Sequence, residues 1–78
     1  MFKTMILVKQ QTEQQLYMLK NKIVRFKSNC KTFRNFDVTG KVIGLERKYN
    51  ELIFTVRVRG KDIRIGSNMN ELKYDILS

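Results

Sequence analysis

The stretch from Glu51 to Ile65, ELIFTVRVRGKDIRI, decides the fold of this chain. Leu52, Phe54, Val56 and Val58 fall on one face, and Ile53, Thr55, Arg57 and Arg59 on the other. That period of two marks a half-buried β-strand with a basic outer face. Gly60 and Lys61 then close a tight hairpin, and Asp62 to Ile65 return as a second strand with Ile63 and Ile65 inward.

The same period appears upstream. In KIVRFKS, from Lys22 to Ser28, Val24 and Phe26 point one way while Arg25 and Lys27 point the other. Ser28 to Asn35 is polar and reads as a loop. Phe36 to Arg47, FDVTGKVIGLER, is a long strand interrupted by Gly40 and Gly44, a spacing that predicts a bend or a bulge. KYNE, from Lys48 to Glu51, is a turn. After Ile65, Ser67 or Asn68 caps a single helical turn, and Lys73 to Leu77 forms a last short strand with Tyr74 and Ile76 inward.

The N-terminal part has a different character. Phe2 to Val8 is apolar and fits either a short strand or the lead-in to a helix. Thr12 and Gln15 match a capping box, Glu13 suits the positive end of a helix dipole, and Leu16, Leu19 and Ile23 follow at helical spacing. These signals predict a helix from Glu13 to Asn21.

Composition limits what such a chain can do. Seventy-eight residues make one domain with a thin core, here an N-terminal extension over 1–21 and a small β unit over 22–78. Sixteen Lys and Arg against seven Asp and Glu give a net charge of +9, which favours anionic partners. Cys30 is the one cysteine and histidine is absent, so an internal disulfide and the Ser-His-Asp and Cys-His arrangements are excluded, and a zinc site is nearly so. The carboxylates are scattered, with no pair at a spacing that forces proximity. No enzyme activity, metal or cofactor is expected. The apolar run from Met5 to Val8 is too short for a secretory or spanning segment, so a soluble, cytoplasmic protein without a membrane partner is expected.

The element order resembles the SH3-like small β-barrel, on the strength of VTGKVIGLE for the bent strand and IGSNMNELKYDIL for the strand, helical turn and final strand. A helix ahead of five strands looks like the Sm-like variant. The resemblance covers Ile23 to Leu77 and implies a mainly β protein: a five-stranded SH3-like barrel with an N-terminal helix. It is a likeness of order, since the glycine-and-aspartate signatures of Sm proteins are missing and no Trp is present for an SH3 ligand groove. This superfold hosts many functions.

Two basic patches stand out. Lys22 to Phe36 carries Lys22, Arg25, Lys27, Lys31 and Arg34 without an acid, interleaved with Phe26, Phe33 and Phe36. In its loop, Lys31 and Arg34 suit phosphates and Phe33 suits an unpaired base, although Phe33 and Phe36 would equally serve to plug the end of a barrel. The second patch combines Arg57, Arg59, Lys61 and Arg64 on one hairpin; its alternative is a solvated face partnered by Asp62 and Glu46. The expected function is non-catalytic binding of nucleic acid, with RNA or single strands preferred because aromatics in a loop suit unpaired bases and no recognition helix is visible. The alternative is a protein-interaction module, such as a small phage-encoded modulator docking on a larger enzyme or nucleoprotein complex through an outward apolar patch of Ile43, Leu45 and Ile53. The sequence leaves the oligomeric state open.

Overall fold

The computed structural model describes residues 5–28, 36–69 and 71–78. They form a mainly β protein with one antiparallel sheet. Its strands are β1 (Ile6–Leu7), β2 (Ile23–Ser28), β3 (Phe36–Lys48), β4 (Glu51–Val58), β5 (Lys61–Gly66) and β6 (Lys73–Ile76), in the order β1-β6-β2-β3-β4-β5. A helix, α1 (Glu13–Tyr17), lies between β1 and β2.

This corrects the expected five-stranded closed barrel: the sheet is open and has six strands. The added strand is Ile6–Leu7, which pairs with Tyr74 and Lys73 at the edge of β6. Its continuation turns into a short 3₁₀ segment, Val8–Gln10, separated from α1 by extended Gln11 and Thr12. The strand reading of the apolar run therefore holds at Ile6–Leu7, and residues 2–4 of that run lie outside the described residues. Near Ser67 the chain makes i→i+3 turns, Met69 N–H to the Gly66 carbonyl (3.1 Å) and Leu72 N–H to the Met69 carbonyl (3.2 Å), and no helix beyond these turns forms among the described residues. Ser67 binds the start of β4, donating its N–H to the Leu52 carbonyl (2.8 Å) and accepting the Leu52 N–H on its hydroxyl (3.0 Å).

The capping box forms as its spacing predicts: Thr12 Oγ1 accepts the Gln15 N–H at 3.2 Å and Gln15 Oε1 accepts the Thr12 N–H at 2.9 Å. The α-helix is shorter than expected. Beyond Tyr17 the chain continues in i→i+3 turns, Lys20 to Tyr17 and Lys22 to Leu19, until Asn21 adopts a left-handed φ of 70°. Asn tolerates that conformation better than most residues, so it stops the helix and releases Ile23 into β2. Leu16 and Leu19 remain as the buried face of this segment.

The sheet curls around one core. β3 is long enough to serve two neighbours in succession: Phe36 to Lys41 pair with β2, and Lys41 to Lys48 pair with β4. The two halves of the sheet meet across the core, where Phe26 of β2 and Phe54 of β4 lie with ring centroids 5.2 Å apart at 44°. Both rings are fully buried, with Val24, Val42, Val56, Ile65, Leu72 and Tyr74 around them. Burial also pushes the Tyr74 hydroxyl above its ordinary pKa, because the ionised form would be desolvated.

The two glycines of β3 do different things. At Gly40 a Cβ would strike the Arg57 carbonyl oxygen and come within 2.8 Å of Val56 Cγ1 and 2.9 Å of Val58 Cγ2. The bare backbone there lets the first half of β3 press onto β4. Gly44 faces open space. It follows a β-bulge, since Val42 opposes Val56 and Gly44 opposes Thr55, leaving Ile43 as the extra residue.

Gly40→Ala is expected to destabilise the protein by about 1–3 kcal/mol through overpacking against β4. Gly44→Ala is expected to change stability by no more than about 0.5 kcal/mol. Urea denaturation of both variants checks the contrast; equal losses would place the close approach elsewhere.

Candidate nucleic-acid interface

The alternation of each strand delivers its charges to the outer face of the sheet, and strand pairing decides which charges meet. On β2, Phe26 and Ser28 are buried, so Arg25 and Lys27 face out. On β6, Leu72 and Tyr74 are buried, so Lys73 and Asp75 face out. The register sets Lys27 directly opposite Lys73 and Arg25 opposite Asp75. On β3 and β4, Lys41 lies directly opposite Arg57. Like charges opposed across a ladder repel.

The strand arginines are partnered. Arg25 makes a two-pronged contact to Asp37 (Nε–Oδ1 3.0 Å, Nη2–Oδ2 2.7 Å), Arg57 pairs with Asp62 at 3.0 Å and Arg64 pairs with Glu46 at 3.0 Å across β4. Arg47, at the end of β3, reaches Glu13 of α1 at 3.0 Å. The hydrogen bond from Arg25 holds the Asp37 carboxyl below its ordinary pKa, with smaller contributions from the Arg25 charge and from Lys27, against some desolvation. In return, the hydrogen bond to Asp37 raises the Arg25 pKa. All four pairs are solvent-exposed, so each contributes little to stability. The alternative reading of the hairpin patch, with Asp62 and Glu46 as partners, is therefore the arrangement formed by Arg57 and Arg64.

What the acids leave over is mainly lysine. Among the described residues Lys9, Lys20, Lys22, Lys27, Lys41, Lys48, Lys61, Lys73 and Arg59 form no ion pair. Two groups of cations lie at opposite ends of the β2–β3 pair, while Lys9 stands on the 3₁₀ segment and Lys48 at the β3–β4 turn. Lys27 and Lys73 flank the base of the 29–35 connection, next to the Ser28–Phe36 end of the ladder. Lys41, Arg57, Arg59 and Lys61 gather at the far end, around the Ile23–Lys41 pair and the tip of the β4–β5 hairpin. Ile23 to Ser28 spans five steps, roughly 17 Å at ~3.3 Å per residue.

The hairpin tip differs from expectation by one residue. Val58 pairs with Lys61, so the turn is Arg59-Gly60, with φ values of 51° and 80°. Positive φ at both central positions is the type I′ arrangement. Arg59 thus sits in the turn rather than on the outer face, and Lys61 opens β5. Lys31, Phe33, Arg34 and Cys30 lie outside the described residues. Phe36 is partly buried and packs against the core of the open sheet, so it plugs no barrel end.

Sequence reasoning missed Lys41 and Lys73 as site residues. Their outward orientation was readable from Gly40-Lys41 and Lys73-Tyr74, but their neighbours Arg57 and Lys27 come from strands distant in the chain. The apolar outer patch needs correction too. The bulge at Ile43 shifts the inward register by one residue, so Leu45 opposes Phe54 and packs against the core. Ile43 and Ile53 are only half-exposed. Ile76, expected inward, is 39% exposed because β6 ends there at the border of the core. Among the described residues no three His, Cys, Asp or Glu side chains converge as a metal site, and no helix is long and apolar enough to cross a membrane. Compared with protein families, characterised proteins and solved structures, the chain matches none.

Replacing Lys73 by Gln is expected to change stability by no more than about 0.5 kcal/mol and towards a gain, because it removes the like charge opposite Lys27 while Lys27 keeps Asp37 opposite it on β3. Thermal melts at low salt check the sign; a drop would show that this ammonium group stabilises the sheet.

Proposed function

We propose that this protein binds single-stranded nucleic acid, RNA or DNA, without catalysing a reaction. The strand would run over the outer face of β2 and β3, between the Lys27–Lys73 pair and the basic tip of the β4–β5 hairpin. The observation that carries the proposal is the like-charge pair Lys27–Lys73 at the base of a connection that itself holds Lys31, Phe33 and Arg34. A phosphate between opposed ammonium groups converts their repulsion into attraction, and the net charge of +9 adds long-range steering. Phe33 offers a face for a base to stack on. A single strand is preferred over a duplex because the one described α-helix has five residues, too short to read a major groove, whereas stacking suits unpaired bases.

A resemblance supports the same reading. The order β6-β2-β3-β4-β5, with a bent glycine-containing β3, is similar to that of SH3-like and Sm-like sheets, here opened and extended by β1. That superfold serves many functions, so the charges rather than the fold bear the proposal. The location we infer is cytoplasmic.

Fluorescence anisotropy with labelled single-stranded RNA tests it. The affinity is expected to fall with salt at a log-log slope of about −0.7 per phosphate contact. The Lys27→Gln/Lys73→Gln variant should bind more weakly and with a slope shallower by about 1.4, two contacts' worth, while it remains folded. Absence of binding at low salt would remove the nucleic-acid reading and favour a protein partner.

A further inference from the structure

The two edges of the open sheet are unequal. β1 closes one side with only two residues, Ile6–Leu7, an edge too short to template another strand. β5 closes the other with six residues, Lys61–Gly66, in unbroken register with β4 and with neither proline nor bulge. Among the described residues no strand lies on its second side. A two-residue hairpin turn closes on a hydrogen-bonded pair, here Val58–Lys61. Alternation along the ladder then turns the backbone groups of Lys61, Ile63 and Ile65 toward β4, and those of Asp62 and Arg64 toward the open edge.

We infer that the β5 edge is a self-association surface, and that two copies of the chain pair β5 to β5 antiparallel about a twofold axis at Ile63. The charge pattern selects this occupant and this register. With the axis at Ile63, Asp62 of each copy, already beside its own Arg57, stands opposite Arg64 of the other, already beside its own Glu46, so the contact joins two ion pairs into an alternating row. Asp62 and Arg64 exchange N–H···O bonds through the backbone groups that face the edge. On the inner face Ile63 meets its own symmetry mate. An axis at Asp62 would set that carboxylate against itself, and one at Arg64 would oppose two guanidinium groups. Axes at Lys61 or Ile65 leave most of the strand unpaired. A strand of unrelated sequence would not match the Asp62–Ile63–Arg64 pattern in this way. The contact is isologous and closes after two copies, so it leads to a dimer rather than a fibre.

Two measurements on the full chain test this. Sedimentation over a concentration series to ~1 mM should show a monomer–dimer equilibrium. Asp62→Arg and Arg64→Asp should each shift it to monomer by opposing like charges, and the double variant, which restores opposite charges across the axis, should recover the dimer. Circular dichroism checks that all three fold; should any fail, hydrogen exchange on the wild type decides alone. There the Asp62 and Arg64 amides should become protected as concentration rises, whereas the Ile63 and Ile65 amides are protected throughout. A monomer across the series, a dimer indifferent to the charge reversals, or a double variant that stays monomeric would overturn the inference. So would Asp62 and Arg64 amides already protected at the lowest concentration, since the chain's own residues would then cover the edge. Protection that appears only when another protein is added would assign the edge to that protein instead.

Discussion

The close approach of β3 to β4 at Gly40 is the constraint on which the remaining architecture depends. A single strand serves both halves of the sheet, and it can do so only if its backbone lies against the Arg57 carbonyl and the Val56 and Val58 methyls. With that contact made, β2 and β4 face each other across a narrow interior, and Phe26 and Phe54 fill it. Aromatic pairs at this separation and tilt add about 0.5–1.5 kcal/mol beyond their buried area, a sizeable fraction for a domain with so small a core. The bulge at Ile43 completes the device. It turns Leu45 inward beside Phe54 and leaves Arg47 near the rim of the core, where it meets Glu13 and ties α1 to the sheet.

The same geometry sorts the charges. The four strand arginines Arg25, Arg57, Arg64 and Arg47, whose planar groups match carboxylates, are matched with Asp37, Asp62, Glu46 and Glu13, and among the described residues Arg59 in the turn is not. Lysines carry most of the excess. Part of that excess collects at the two ends of the β2–β3 pair, one beside the 29–35 connection and one at the β4–β5 hairpin tip, while Lys9 and Lys48 lie on the 3₁₀ segment and at the β3–β4 turn. Between the two ends the Arg25–Asp37 pair leaves the middle of this face close to neutral. A ligand that follows the face would therefore be held at its ends. Arg59 adds to the hairpin end from a left-handed backbone position that Asn or Gly would occupy more comfortably.

Sequence by itself determined the strands whose alternation is strict. Leu52 to Val58, Val24 to Phe26 and Ile65 read correctly because one side chain in two must leave water, and that rule needs no knowledge of neighbours. It also determined the helix start, since the Thr12–Gln15 box closes within one turn of chain, and the excess of positive charge. Tertiary structure decided whatever depends on two segments at once. Whether Leu45 faces in or out turns on one bulged residue against β4, and whether the sheet closes or stays open turns on what lies beside β5. Ile6–Leu7 is too short to declare itself as a strand until β6 offers it a ladder. The opposition of Lys27 and Lys73, and the pairing of Arg64 with Glu46 and of Arg47 with Glu13, likewise follow from contacts between segments separated in the chain. Charge is a property of the residue, whereas the repulsion or pairing it experiences is set by the few ångströms that folding places between residues.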